Sequence, residues 1–187
     1  MSDIDRKAPT PEIDVEATVN GRPVRKRAPT RMLLVDFLRD RLGLTGAKVS
    51  CAAQVCGACS VLVDGEPVSS CAYLAADIDG REVLTVEGLA GSTALSPVQQ
   101  AFVDCSALQC GYCTPGFVIM ATALLRENPN PTEAQVAHYL EGNLCRCTGY
   151  LPIVEAVLLA ARRAAEVPAG STGPEGRHGA TAGDAGG

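Results

Sequence analysis

Residues 51–71 read CAAQVCGACSVLVDGEPVSSC. Cys51, Cys56 and Cys59 follow a C-x4-C-x2-C spacing, and Cys71 comes after a short intervening segment. This three-plus-one pattern is the spacing that holds a 2Fe-2S cluster. An anionic inorganic core needs a loop wrapped closely around it, with backbone N–H groups aimed at sulfur and no bulky side chain between. Ala52, Ala53, Gly57, Ala58 and Ser60 permit that approach, and Gly57 can take a dihedral closed to other residues. The run Val61 to Val68 is apolar on either side of Asp64-Gly65, a hairpin signal that returns Cys71 to the loop. Structural zinc sites more often pair two C-x2-4-C knuckles.

The chain carries nine cysteines. Its first residues, MSDIDRKAPTPEID, have acids where a secretory signal has an apolar run, so a reducing, cytoplasmic setting is expected and a disulfide framework is not. Cys110 and Cys113 form a second group with Cys145 and Cys147. On spacing alone this group suits iron-sulfur and zinc equally, and the first group favours iron. Thr114-Pro115 follows Cys113 at once, a capping hydroxyl and then proline, which predicts a helix N-terminus beside that thiol. Thr148 to Pro152 precede another apolar-periodic run, so a second helix start is expected at the same site. Cys105 shares a helical face with Val98, Phe102 and Leu108 and reads as a buried structural thiol.

Around these groups the chain divides into two compact halves. Residues 1–12 read as a flexible arm. Ile13 to Val19 alternate, Asn20-Gly21 is a hairpin turn, and Arg22 to Ala28 return as a second strand. Thr30 is the expected cap of a helix that places Leu33, Leu34, Phe37, Leu38 and Leu42 on one face and stops at Gly43. Glu82 to Val86 form a last strand, completing a ferredoxin-like unit over 13–90. Helical periodicity begins near Ser96; further helices are expected over 114–127, from Thr132 to about Leu140, and over 150–166. The fold class is thus α+β, with a four-helix bundle over 91–166. Residues 167–187 read as a disordered Gly/Ala/Pro tail that includes His178. His138 reads as an ordinary surface residue, because thiolates complete both sites.

Composition narrows function. Apolar residues make up 47% of the chain, enough for a core, while the net charge of -5 without a long basic block argues against nucleic acid as partner. No segment approaches the roughly 20 apolar residues of a membrane span.

Thr45-Gly46-Ala47-Lys48 ahead of Cys51, then CGACSVLVDG, QCGYCTPG at 109–116 and GNLCRCTGY at 142–150, together resemble the small iron-sulfur subunit of the xanthine oxidase family of molybdenum hydroxylases. The likeness spans about 13–165. It implies an N-terminal β-grasp, plant-type ferredoxin-like domain and a C-terminal four-helix bundle, with two 2Fe-2S clusters held by Cys51, Cys56, Cys59 and Cys71 and by Cys110, Cys113, Cys145 and Cys147. It also implies a large subunit with molybdenum-pterin and a medium subunit with FAD, assembled as a dimer of heterotrimers. By the same resemblance Gln109 contacts the pterin, the second cluster lies toward the pterin and the first toward the flavin. The family often has glycines between its first two cysteines; here Ala53-Gln54-Val55 stand there.

The expected function is relay of single electrons from molybdenum to FAD, with no substrate chemistry on this chain. In this reading bulk water is excluded from the second, inner site, and Arg146 between two ligands is a candidate to set its potential or a surface ion-pair partner. An independent ferredoxin-like carrier and a zinc-stabilised interaction module are the alternatives.

Overall fold

The computed structural model describes residues 10–91 and 94–166. The tail 167–187, with His178, and nine residues of the arm lie outside these; Glu12, assigned to the arm from sequence, instead opens the first strand.

Strands β1 (Glu12–Val19) and β2 (Arg22–Pro29) pair antiparallel across Asn20-Gly21, both of which have positive φ as a two-residue hairpin turn requires. Val15, Ala17 and Val19 of β1 are buried while Glu12, Asp14 and Glu16 face out, where Arg25 and Arg27 of β2 pair with them. Strands β3 (Ser60–Val63) and β4 (Glu66–Ser69) form the second hairpin, and β5 (Glu82–Leu84) lies between the two, parallel to β1 and antiparallel to β3. The mixed sheet therefore runs β2-β1-β5-β3-β4.

One face of the sheet is covered by α1 (Leu34–Asp36), a single α turn that widens into a π-helical stretch, Phe37–Arg41. Leu34, Val35, Phe37 and Leu38 fill the core beneath it with Val15, Val61, Val63 and Ile78. The helix starts later than the sequence suggests. Thr30 does not cap it, since its N–H donates to the Pro11 carbonyl and continues the β1–β2 pairing, and Leu33 bridges to Leu74. Gly43, at φ 71°, closes the element as expected.

Four helices follow: α2 (Pro97–Asp104), α3 (Thr114–Glu127), α4 (Glu133–Tyr139) and α5 (Leu151–Glu166). Ser96 and Thr132 each accept from the backbone three residues on, and Gln99 and Gln135 reach back to close a capping box. Helix α5 packs on α2, α3 and α4, burying Ile153, Ala156, Val157 and Ala160 against Phe102, Phe117 and Val136. Arg163 of α5 donates to Asp104 of α2 at 2.5 Å, and its guanidinium holds the Asp104 carboxyl below the ordinary range. No helix among the described residues is long and apolar enough to cross a membrane.

The two halves meet through β3. All four of its residues are buried, Val61 and Val63 on the α1 side and Leu62 on the other, where Ile119 and Ala123 of α3 cover it. A strand buried on both faces reads as a continuous apolar run, and SVLV does. Leu62→Ala is expected to lower stability by about 2–5 kcal/mol and to loosen α3 from the sheet. Chemical denaturation followed by far-UV circular dichroism would check this; an unchanged midpoint would contradict the shared core.

Candidate metal centre

All nine cysteines are free thiols, and eight of them gather in two places. The first is the loop between α1 and β3. Cys51 is exposed, whereas Cys56, Cys59 and Cys71 are buried, Cys71 being returned by the β3–β4 hairpin as its spacing predicts. The segment leading into the loop is clamped from several sides. Arg39 donates to the carbonyls of Thr45 and Ala47, both at 2.9 Å; the Lys48 N–H bonds to Ala58; and the Gly46 N–H donates to Glu87 at 2.7 Å. Buried hydroxyls meet the loop's own carbonyls, Ser60 at Gly57 and Ser70 at Cys59.

The loop turns its N–H groups toward sulfur. Ala53 and Val55 donate to Cys51 Sγ at 3.3 and 3.4 Å, and together with the Cys56 N–H they pull that thiol down to about 6. Dipoles that favour a thiolate favour an anionic cluster for the same reason. Turning those N–H groups inward puts Ala52 at φ 51° and Gln54 at φ 60°, conformations that cost a residue with a side chain of order 1 kcal/mol or more. This is where glycine is missing from the loop. Burial pushes Cys59 up to about 11.

The second place lies at the start of α3 and in the turn before α5. Cys113 caps α3 and burial pushes it up to about 12, Cys145 adding to the effect. Cys145 is buried, which raises it, but the Thr148 hydroxyl and the N–H groups of Thr148 and Cys147 outweigh that and hold it below the usual thiol range. Cys110 and Cys147 stand at the surface with their sulfurs 3.7 Å apart, and Cys110 raises Cys147. On this chain two of the four thiols of this set thus face outward. Thr114 also departs from expectation. It is the first residue of α3 rather than its cap, and its buried hydroxyl finds no partner among the described residues.

Among the described residues, no three Cys, His, Asp or Glu side chains converge on one metal-ion position. The thiols approach in pairs instead: Cys51 with Cys56, Cys59 with Cys71, Cys113 with Cys145, and Cys110 with Cys147. Two thiolates on one tetrahedral metal stand about 3.8 Å apart, which the Cys110–Cys147 separation matches. Two such pairs at each place suit a centre of two metal atoms. A cleft of about 530 Å³ is lined by Cys51 and Cys56 of the first set and by all four thiols of the second. Cys105 belongs to neither set; expected to be buried, it is half-buried against the helical core. His138 is an exposed side chain near Glu141. Gln109 is exposed beside Cys110, and Arg146 lines the cleft.

Residues 17–90 match the 2Fe-2S iron-sulfur cluster binding domain and residues 85–158 a second 2Fe-2S binding domain. The nicotine 6-hydroxylase small subunit of Paenarthrobacter nicotinovorans is 51% identical over 81% of this chain and 91% of its own length. The chain belongs to the small iron-sulfur subunits of the xanthine oxidase family. In the same family, the xanthine dehydrogenase iron-sulfur-binding subunit of Escherichia coli O157:H7 is 47% identical over 78% of this chain and 92% of its own. The quinoline 2-oxidoreductase structure from Pseudomonas putida 86 superposes with a TM-score of 0.78 at 43% identity, covering 81% of this chain and 97% of that one. This small iron-sulfur subunit thus has the α+β ferredoxin-like fold and is the electron-transfer component of an oxidoreductase.

Two residues of the 142–150 segment, given no individual role from sequence, support the site. The Cys145 N–H donates to the Tyr150 hydroxyl at 3.1 Å, and the buried Asn143 amide donates to the Gly57 carbonyl at 3.2 Å. Beside that bond the two backbones run so close that a Cβ on Gly116 would strike the Gly57 carbonyl. Gly116→Ala is expected to cost about 1–3 kcal/mol through overpacking and to lower the melting temperature; a wild-type melting curve would contradict the close approach.

Proposed function

We propose that Cys51, Cys56, Cys59 and Cys71 hold one 2Fe-2S cluster and Cys110, Cys113, Cys145 and Cys147 a second, and that single electrons pass from a molybdenum-pterin centre in a large subunit through both to FAD in a medium subunit. The observation that carries this is the gathering of eight thiols into two sets of four, six of them lining one cleft and Cys59 and Cys71 buried in the first set. When bound, such clusters supply reversible one-electron storage without bond making. Everything else is the work of the chain. Its loop N–H groups stabilise negative charge at the Cys51 and Cys145 sulfurs, its hairpin and helix starts hold the ligands, and Arg146 places a cation at the cleft without a carboxylate partner among the described residues.

The domains in this reading are 13–90 and 91–166, the latter a four-helix bundle whose second site faces the pterin through the exposed Cys110–Cys147 pair and Gln109. The first site lies toward the flavin. Eight of the ten exposed large apolar side chains among the described residues stand within four positions of a site cysteine, Val55, Leu144 and Leu151 being the most exposed. An apolar ring around a charged site favours burial against a partner over free diffusion, which supports a subunit of a dimer of heterotrimers rather than an independent carrier. The reducing cytoplasm suits eight unpaired thiols.

The complex purified with its partners is expected to carry about four irons and four sulfides per copy of this chain and to show two distinct paramagnetic signals on reduction. A colourless protein holding zinc would overturn the proposal. Cys113→Ser is expected to abolish one signal and spare the other; persistence of both would refute the ligand assignment.

A further inference from the structure

Three hydrogen bonds cross between the halves at the thiol loops. The Leu144 N–H donates to the Cys56 carbonyl at 3.0 Å, the Asn143 amide to the Gly57 carbonyl at 3.2 Å, and the Tyr112 hydroxyl to the Val49 carbonyl at 2.6 Å. Each joins a position within two residues of a thiol of one set to a position within two residues of a thiol of the other. The first two join neighbouring residues on each side, Asn143-Leu144 to Cys56-Gly57. The third meets the loop at Val49, on the Cys51 side, so the thiol loop is tied to the second half at two separate points beyond the β3–α3 core. The Leu144 bond is backbone to backbone; the other two depend on side chains. Asn143 is 3% exposed and wedged where a Cβ on Gly57 would strike it, while Tyr112, 47% exposed, stands at the rim of the cleft.

We propose that Tyr112 and Asn143 are positioning residues that fix the separation and orientation of the two thiol sites, and so the rate at which an electron crosses between them. This rests on the two-cluster reading above. The step itself oxidises one centre by one electron and reduces the other by one, with no bond or proton moved, so its rate answers to geometry. Electronic coupling falls steeply with distance, and a spread of separations slows the exchange.

The test uses the complex purified with its partners, wild type and Tyr112→Phe, reduced with dithionite. The variant keeps the ring and loses only the strut. It is expected to retain both paramagnetic signals at their own g values and full iron content, with a broadened and weakened spin–spin interaction between the centres and a several-fold slower exchange after pulse reduction. Asn143→Ala is expected to act in the same direction; where it fails to fold, Tyr112→Phe decides alone. Wild-type splitting and exchange rate in Tyr112→Phe would overturn the proposal, and so would loss of either cluster, which would make the residue a support for ligation. Absence of two signals in the wild type would overturn the two-cluster reading instead.

Discussion

The tightest constraint in the molecule is the meeting of two backbones, Gly57 between two thiols of the first set and Gly116 in the first turn of α3, with no space for a side-chain carbon between them. Much of the architecture serves that approach. Helix α3 can reach the loop because its next turns lie on the back of β3, burying Ile119 and Ala123 against Leu62. The loop can receive it because Gly57, at φ 67°, presents its carbonyl to the buried Asn143 amide. A glycine pair at the seam therefore does for the two sites what a hydrophobic strand does for the two halves, and the energetic burden is carried by the strand.

Charge explains the local design at each set of thiols. Burial first, and neighbouring sulfurs after it, raise the cost of ionising Cys59 and Cys113, and backbone N–H groups at Cys51 and Cys145 act against such costs. The price is local strain at Ala52 and Gln54. A loop that tolerates two left-handed residues with side chains is one held from outside, and the clamps from Arg39, Lys48 and Glu87 do that holding.

What could be read without coordinates was local. Asn20-Gly21 and Asp64-Gly65 specify their hairpins, the capping chemistry at Thr132 marks α4, and the three-plus-one cysteine spacing already contains the hairpin that closes it. The Ser96–Gln99 capping box was equally legible, since Ser-Pro followed by Gln two residues later is its sequence form. Thr114 was a local misreading, since the helix starts one residue earlier and Cys113 takes the cap position. Thr30 was misread because its competing partner lay far along the chain: it was claimed by Pro11 through the sheet. The seam was invisible for the same reason: Asn143 and Gly57 are 86 residues apart, and no periodicity links them. Exposure of Cys110 and Cys147 follows from what the rest of the chain leaves uncovered, which spacing cannot express.

The account stands on four thiols in each place sharing two metal atoms. Anomalous diffraction from crystals of the complex, collected on either side of the iron absorption edge, tests this most directly. Four iron peaks per chain are expected in two close pairs, one pair between Cys51, Cys56, Cys59 and Cys71 and the other between Cys110, Cys113, Cys145 and Cys147. A single peak at either place, or a signal that tracks the zinc edge, would contradict it.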